Sequence, residues 1–173
     1  MDCEKYEDGR AFYELGVCCE MGYGTRKDID RSTDYYIKSL LCGEPRVDCK
    51  RPCLKKAKDT IIEENRSCYD DVKRRSSEGD SLCQAIEGYC FILGVFEKQD
   101  YSRAFELFKK SSDGGDCFGQ LYLGYCYRYG YGVDKDVSKA ARYYEKAAKQ
   151  GNSDAQFELG WLFCNGEGVP QDY

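Results

Sequence analysis

A repeat of 36 residues constrains this chain more than any other feature. Gly43, Gly79, Gly115 and Gly151 stand 36 residues apart, and Gly16, Gly88, Gly124 and Gly160 form a second set with the same spacing, Pro52 filling its vacant point. A fixed period of this size marks stacked supersecondary units, none of which buries its apolar face alone. The best-formed unit ends at Gly151. In it, two amphipathic segments flank the turn Gly130-Tyr131-Gly132-Val133. Gly119, Leu123, Gly124 and Tyr127 make the inward stripe of the first segment, and Ala140, Ala141, Tyr143, Tyr144, Ala147 and Ala148 that of the second. Asp136 stands where it can cap the second helix. The period predicts an all-α solenoid of stacked helical hairpins, one repeat domain over residues 1–173.

The repeats are unequal. Residues 9–43 carry Ala11, Leu15, Gly16 and Cys19, the turn Met21-Gly22-Tyr23-Gly24, then Tyr35, Tyr36 and Leu40. Residues 44–79 keep the length but are degenerate: Arg51 and Pro52 replace Leu-Gly, and no glycine turn separates the helices. The stretch from about Leu54 reads there as one continuous helix, because nothing in it breaks the pattern. Residues 80–115 recover the stripe with Cys83, Glu87, Gly88 and Phe91, turn at Gly94-Val95-Phe96, and continue with Ala104, Leu107 and Phe108. Residues 116–151 are the unit described above. Residues 152–173 form an incomplete repeat, with Ala155, Leu159, Gly160 and Phe163.

Charge and composition narrow the function classes. The net charge of −5 gives no general reason to bind nucleic acid. No apolar run approaches the length of a membrane span. The start, MDCEKYEDGR, lacks the apolar core of a secretory signal, so a cytoplasmic setting with reduced thiols is the expectation for the 12 cysteines. Cys18, Cys90 and Cys126 each follow a first-helix glycine by two residues, a placement that suits packing. There is no histidine, which removes histidine bases, Ser-His and Cys-His nucleophile pairs, and histidine metal ligands. The glycine turns recur with the repeat and are not nucleotide loops. No cofactor is expected.

Three segments carry a resemblance: Ala155-Gln156-Phe157-Glu158-Leu159-Gly160; Gly130-Tyr131-Gly132-Val133 with Asp136; and the run from Lys139 through Tyr144 to Ala148. They resemble the Sel-one-like repeat family, 36-residue relatives of the tetratricopeptide repeats. The resemblance implies an α/α superhelix, right-handed and tetratricopeptide-like, built of antiparallel helix pairs and doing adaptor or scaffold work. One secreted branch of that family pins its hairpins with cysteines eight apart and is reported to handle penicillins. Here those places hold Leu40 and Asp48, Ser76 and Gln84, and Ser112 and Gln120.

Two constellations remain as candidate sites. Cys42, Cys49, Cys53 and Cys68 crowd the degenerate repeat, and four thiolates can bind zinc, although no CxxC knuckle is present. The second is aromatic. Opposite the packing stripe of the first helices lie Ile86, Tyr89 and Leu93 in the third repeat, Tyr122, Tyr125 and Tyr129 in the fourth, and Glu158, Trp161 and Asn165 in the fifth. Tyr and Trp are rigid anchors, so a groove for a protein or peptide is one reading, and packing between successive helices is the other. Lys73-Arg74-Arg75 and Lys55-Lys56-Lys58 read as a solvated face or a rim that steers an acidic partner.

The expectation is a non-catalytic adaptor, monomeric in isolation or capped by a neighbouring repeat. It would bind protein through Tyr89, Tyr122, Tyr125, Tyr129, Glu158 and Trp161. A metal- or redox-responsive module on the cysteine cluster and a weak penicillin-handling hydrolase are the alternatives.

Overall fold

The structure, a computed structural model, describes residues 9–43 and 59–167. Among these residues it is all-helical, with α1 (Gly9–Met21), α2 (Ile29–Leu41), α3 (Asp59–Glu64), α4 (Arg66–Ser77), α5 (Ser81–Leu93), α6 (Tyr101–Asp113), α7 (Cys117–Tyr129), α8 (Val137–Lys149) and α9 (Ser153–Asn165). Adjacent helices pack in sequence, and α5 also touches α7, so consecutive first helices lie side by side. No described helix is long and apolar enough to cross a membrane.

Helix starts are fixed by side chains on the 36-residue grid. Asp28, Asp100 and Asp136 cap the second helices, each accepting from the backbone N–H three residues on, at 3.0, 3.0 and 2.9 Å. Asp80, Asp116 and Asn152 cap first helices in the same way, at 3.0, 2.8 and 2.8 Å. Such caps satisfy amides that the helix leaves without a partner. In the degenerate repeat the corresponding second-helix position is Glu64, the last residue of α3, and no cap of this kind forms.

The continuous helix expected from about Leu54 is interrupted. The part before Asp59 lies outside the described residues, and the remainder divides at Asn65 into α3 and α4. Asn65 is 3% exposed, and its amide donates to Asp34 Oδ1 at 2.9 Å and to Ile61 O at 2.9 Å. A side chain bonded to the backbone competes with the helix ladder, and here it ties the break to α2.

The hairpin core is a recurring contact. The rings of Tyr36, Phe108 and Tyr144, each 0–1% exposed, lie on Gly16, Gly88 and Gly124. The degenerate repeat has lost both halves of this contact, with Pro52 at the glycine position and Val72 at the ring position. Val72 is still buried, at 3%. One apolar cluster runs from α2 to α7, and a second joins α7, α8 and α9 through Leu121, Tyr144, Ala155 and Leu162.

The turns carry one exception. Gly24 and Gly132 have positive φ of 65° and 71°, and between them on the grid Phe96 has φ 67°. Left-handed backbone disfavours a side chain. The Phe96 ring stacks on Tyr69 at 4.5 Å and 4°, and Arg66 donates to Phe96 O at 3.2 Å, which offsets the strain.

Where the cysteine-rich branch would place its paired residues, a glutamine bonds instead. Gln84 Nε2 donates to Ser76 O at 3.2 Å and Gln156 Nε2 to Ala148 O at 3.3 Å, each spanning eight residues across a repeat junction.

Candidate functional site

The ladder residues of α5 and α7 form one connected aromatic array. Tyr122 stacks on Tyr89 at 4.7 Å and on Phe108 at 5.1 Å. Tyr125 follows at 6.1 Å and Tyr129 at 6.1 Å beyond it. The array continues to Tyr131 at 5.7 Å, whose ring stacks on Tyr101 at 4.8 Å. Tyr131 therefore bridges the turn of the fourth repeat to the start of α6. The spacings suit offset stacking, in which positive ring edges approach negative faces.

Burial divides the array. Ile86, Tyr89 and Leu93 are 6%, 5% and 4% exposed, so the third-repeat part is packed between helices. Tyr122 and Tyr125 are half-buried, the latter edge-on against Tyr144 at 5.6 Å. Tyr129 and Trp161 stand out in solvent, 51% and 37% exposed. Both readings of the ladder are thus present, packing at one end and open rings at the other.

An arginine not singled out in the sequence organises the open end. Arg128 is buried, forms an ion pair with Glu158, and lays its guanidinium over the Trp161 ring at 4.3 Å and the Tyr129 ring at 5.3 Å. Tyr125 donates its hydroxyl to the other oxygen of Glu158 at 3.0 Å. Burial, followed by the Glu158 carboxylate, pushes the Tyr125 hydroxyl well above its usual range, so it stays a donor. The planar cation suits this place because it stacks on two rings and still bonds a carboxylate. The same register holds Glu20, Lys56, Ile92 and Cys164, so a charge there did not stand out in the sequence.

The other candidates are placed differently. Cys42 and Cys68 approach each other, and burial and then that neighbour raise the Cys42 thiol. Cys49 and Cys53 lie outside the described residues. No group of three or more His, Cys, Asp or Glu side chains is placed to hold a metal among the described residues. In the basic run, Lys73 pairs with Glu97 at 2.7 Å, Arg74 with Asp71 and Glu78, and Arg75 with Asp80 at 2.6 Å. These charges are met within the chain. Lys55, Lys56 and Lys58 are not described.

The Sel1 repeat model matches residues 10–44, 83–116, 118–152 and 153–173. The chain belongs to the Sel1 repeat family. The first two matches leave residues 45–82 uncovered, a stretch that takes in nearly all of the repeat read as degenerate. Sel1 repeats are in general protein-interaction modules on non-catalytic scaffolds. Solved structures share the fold. A protective antigen of uropathogenic Escherichia coli strains, displaying an SLR fold, matches with TM-score 0.59 and 22% identity over 99% of this chain and 38% of its own. A Sel1 repeat protein from Oxalobacter formigenes matches with TM-score 0.58 and 23% identity over 99% of this chain and 70% of its own. Cysteine rich protein B of Helicobacter pylori matches with TM-score 0.52 and 25% identity over 77% of this chain and 96% of its own. The chain thus spans about two fifths of the Escherichia coli antigen. A search of curated proteins returns no match.

Proposed function

We propose that this Sel1 repeat chain is a non-catalytic adaptor that holds a peptide or helix of a partner protein on the face lined by its first helices. Tyr129 and Trp161 serve as the anchors. The observation that carries this reading is the set of contacts beneath the two open rings. Arg128 lies against both, Glu158 fixes Arg128, and Tyr125 fixes Glu158. Rings held in place before contact lose little freedom on binding, which is what a hot spot needs. Because the charge of Arg128 is already met by Glu158, the surface suits an apolar or aromatic side chain of the partner with polar groups around it. A reducing, cytoplasmic setting fits the helix packing of Cys83, Cys90 and Cys126 as buried thiols.

The test is a peptide library selected on the purified chain. Selected peptides are then measured against Tyr129→Ala and Trp161→Ala proteins. A loss of affinity of tenfold or more in each is expected for hot-spot rings. Peptides that bind both variants as tightly as the parent would show that the open rings are not the anchors.

A further inference from the structure

Four cations mark one face of α8. Lys139, Arg142, Lys146 and Lys149 stand at i, i+3, i+7 and i+10, and all four are exposed. At 100° per residue they fall within about 80° of the helix circumference, spread over about 15 Å of its length. The same register alternates in sign in other second helices. It holds Arg31, Asp34 and Lys38 in α2, and Arg103, Glu106, Lys110 and Asp113 in α6. In α2 the alternation makes an ion pair, Lys38 to Asp34 at 2.7 Å. On α8, Lys139 pairs with Asp136 at 3.2 Å and Lys149 with Glu145 at 2.6 Å, while Arg142 and Lys146 have no acidic partner among the described residues. Exposed pairs of this kind are weak. Like charges three and four residues apart destabilise a helix, so α8 carries a cost that α2 and α6 avoid.

Two of the cations are held by rings. Lys139 Nζ lies over Tyr127 at 5.3 Å and Lys146 Nζ over Tyr143 at 5.0 Å, and these two rings stack on each other at 5.7 Å and 4°. Lysines placed in this way lose little freedom when an anion arrives.

We propose that this face of α8 docks a helix of a partner protein that carries carboxylates at i, i+3, i+7 and i+10. Charge complementarity names the occupant. Two helices laid side by side share one rise per residue, so carboxylates at these intervals meet all four cations. An anionic membrane fits less well, because a helix lying in the interface needs large apolar side chains beside its cations, and on α8 Tyr143 is half-buried and Tyr144 buried. A nucleic acid would meet the repulsion of a chain of net charge −5. The surface belongs to a second helix, whereas Tyr129 and Trp161 belong to first helices.

The probe is a fluorescein-labelled, alanine-rich helical peptide with Glu at those four positions, titrated at low salt by fluorescence anisotropy. The protein variant is Arg142→Glu, which gives α8 the alternating order with which α6 already folds at Arg103, Glu106 and Lys110. It should keep its helical circular dichroism and gain in urea midpoint, because the repulsion along α8 is relieved. It should bind the peptide at least about tenfold more weakly than the parent. Tyr129→Ala should bind the peptide as the parent does. A peptide of the same composition with its glutamates scattered round the helix should bind the parent at least about tenfold more weakly. Undiminished binding by Arg142→Glu, equal binding of the scattered peptide, or no saturable binding would each overturn the proposal. So would tighter binding to phosphatidylserine vesicles or duplex DNA that Arg142→Glu abolishes, since the occupant would then be a membrane or a nucleic acid.

Discussion

Gly124 and Tyr144 are a single contact made from two helices: the ring of Tyr144 occupies the space that a Cβ on Gly124 would need, 2.4 Å from Cε1. Tyr144 is 0% exposed and has no room to retreat. Gly124→Ala should therefore destabilise the chain by about 1–3 kcal/mol, the usual cost of overpacking, despite the better helix propensity of alanine. Gly160→Ala meets nothing within 4 Å among the described residues and should stabilise α9 by roughly 0.5–1 kcal/mol. Urea unfolding of both variants measures the opposite signs.

Phe96 is a local conflict that packing wins. Replacing it with glycine removes left-handed strain of about 1–2 kcal/mol. It also removes the stack on Tyr69 and the Arg66 contact, where burial and ring stacking together exceed that strain. Phe96→Gly should lower stability by about 1–2 kcal/mol on that balance, read as a fall in the urea midpoint. A gain would show that strain dominates the turn.

The cap Asp80 gives the stability a pH dependence of known sign. Partial burial works against its charge, but the Cys83 amide and the Arg75 guanidinium prevail and hold its carboxyl below the usual value. A carboxyl depressed on folding stabilises the chain above its unfolded value, near pH 4, and that contribution fades as pH falls through the folded value. Asp80→Ala should cost about 0.5–2 kcal/mol at pH 7. The gap between parent and variant should narrow in acid. Unfolding curves at neutral pH and in a descending acid series check both points.

Thiol reactivity should follow burial. Burial pushes the Cys126 thiol up to about 12 and raises Cys90 further still. Cys164 is exposed on α9. Brief alkylation of the native chain, read by peptide mass spectrometry, should modify Cys164 well before Cys90 or Cys126, because the thiolate is the reacting form. Equal labelling would mean that the α5–α7 packing opens readily.

What could be read from the chain was whatever repeats. The cap at Asp136, the first-helix glycines and the turns stand on the 36-residue grid, so each instance supports the others. What escaped depends on single contacts between distant residues. Asn65 breaks its helix because Asp34, 31 residues away, accepts from it. Tyr89 is packed rather than open because Tyr122 of the next repeat covers it. Arg128 is tolerated in a buried place because Glu158 and Trp161 arrive from α9. Periodicity places a residue on a face but does not name the partner that reaches it from another repeat.

The glutamine links at the repeat junctions have a consequence for how such chains change over generations. Gln84 and Gln156 grip main-chain oxygens, which every residue type supplies, eight positions back. A junction of this kind makes no demand on the identity of the side chain it holds. A block of 36 codons can be copied or lost between two such points and the new neighbours will still fit. An insertion of any other length within those eight residues would put the glutamine out of reach of its oxygen, so the junction itself tolerates change only in whole units.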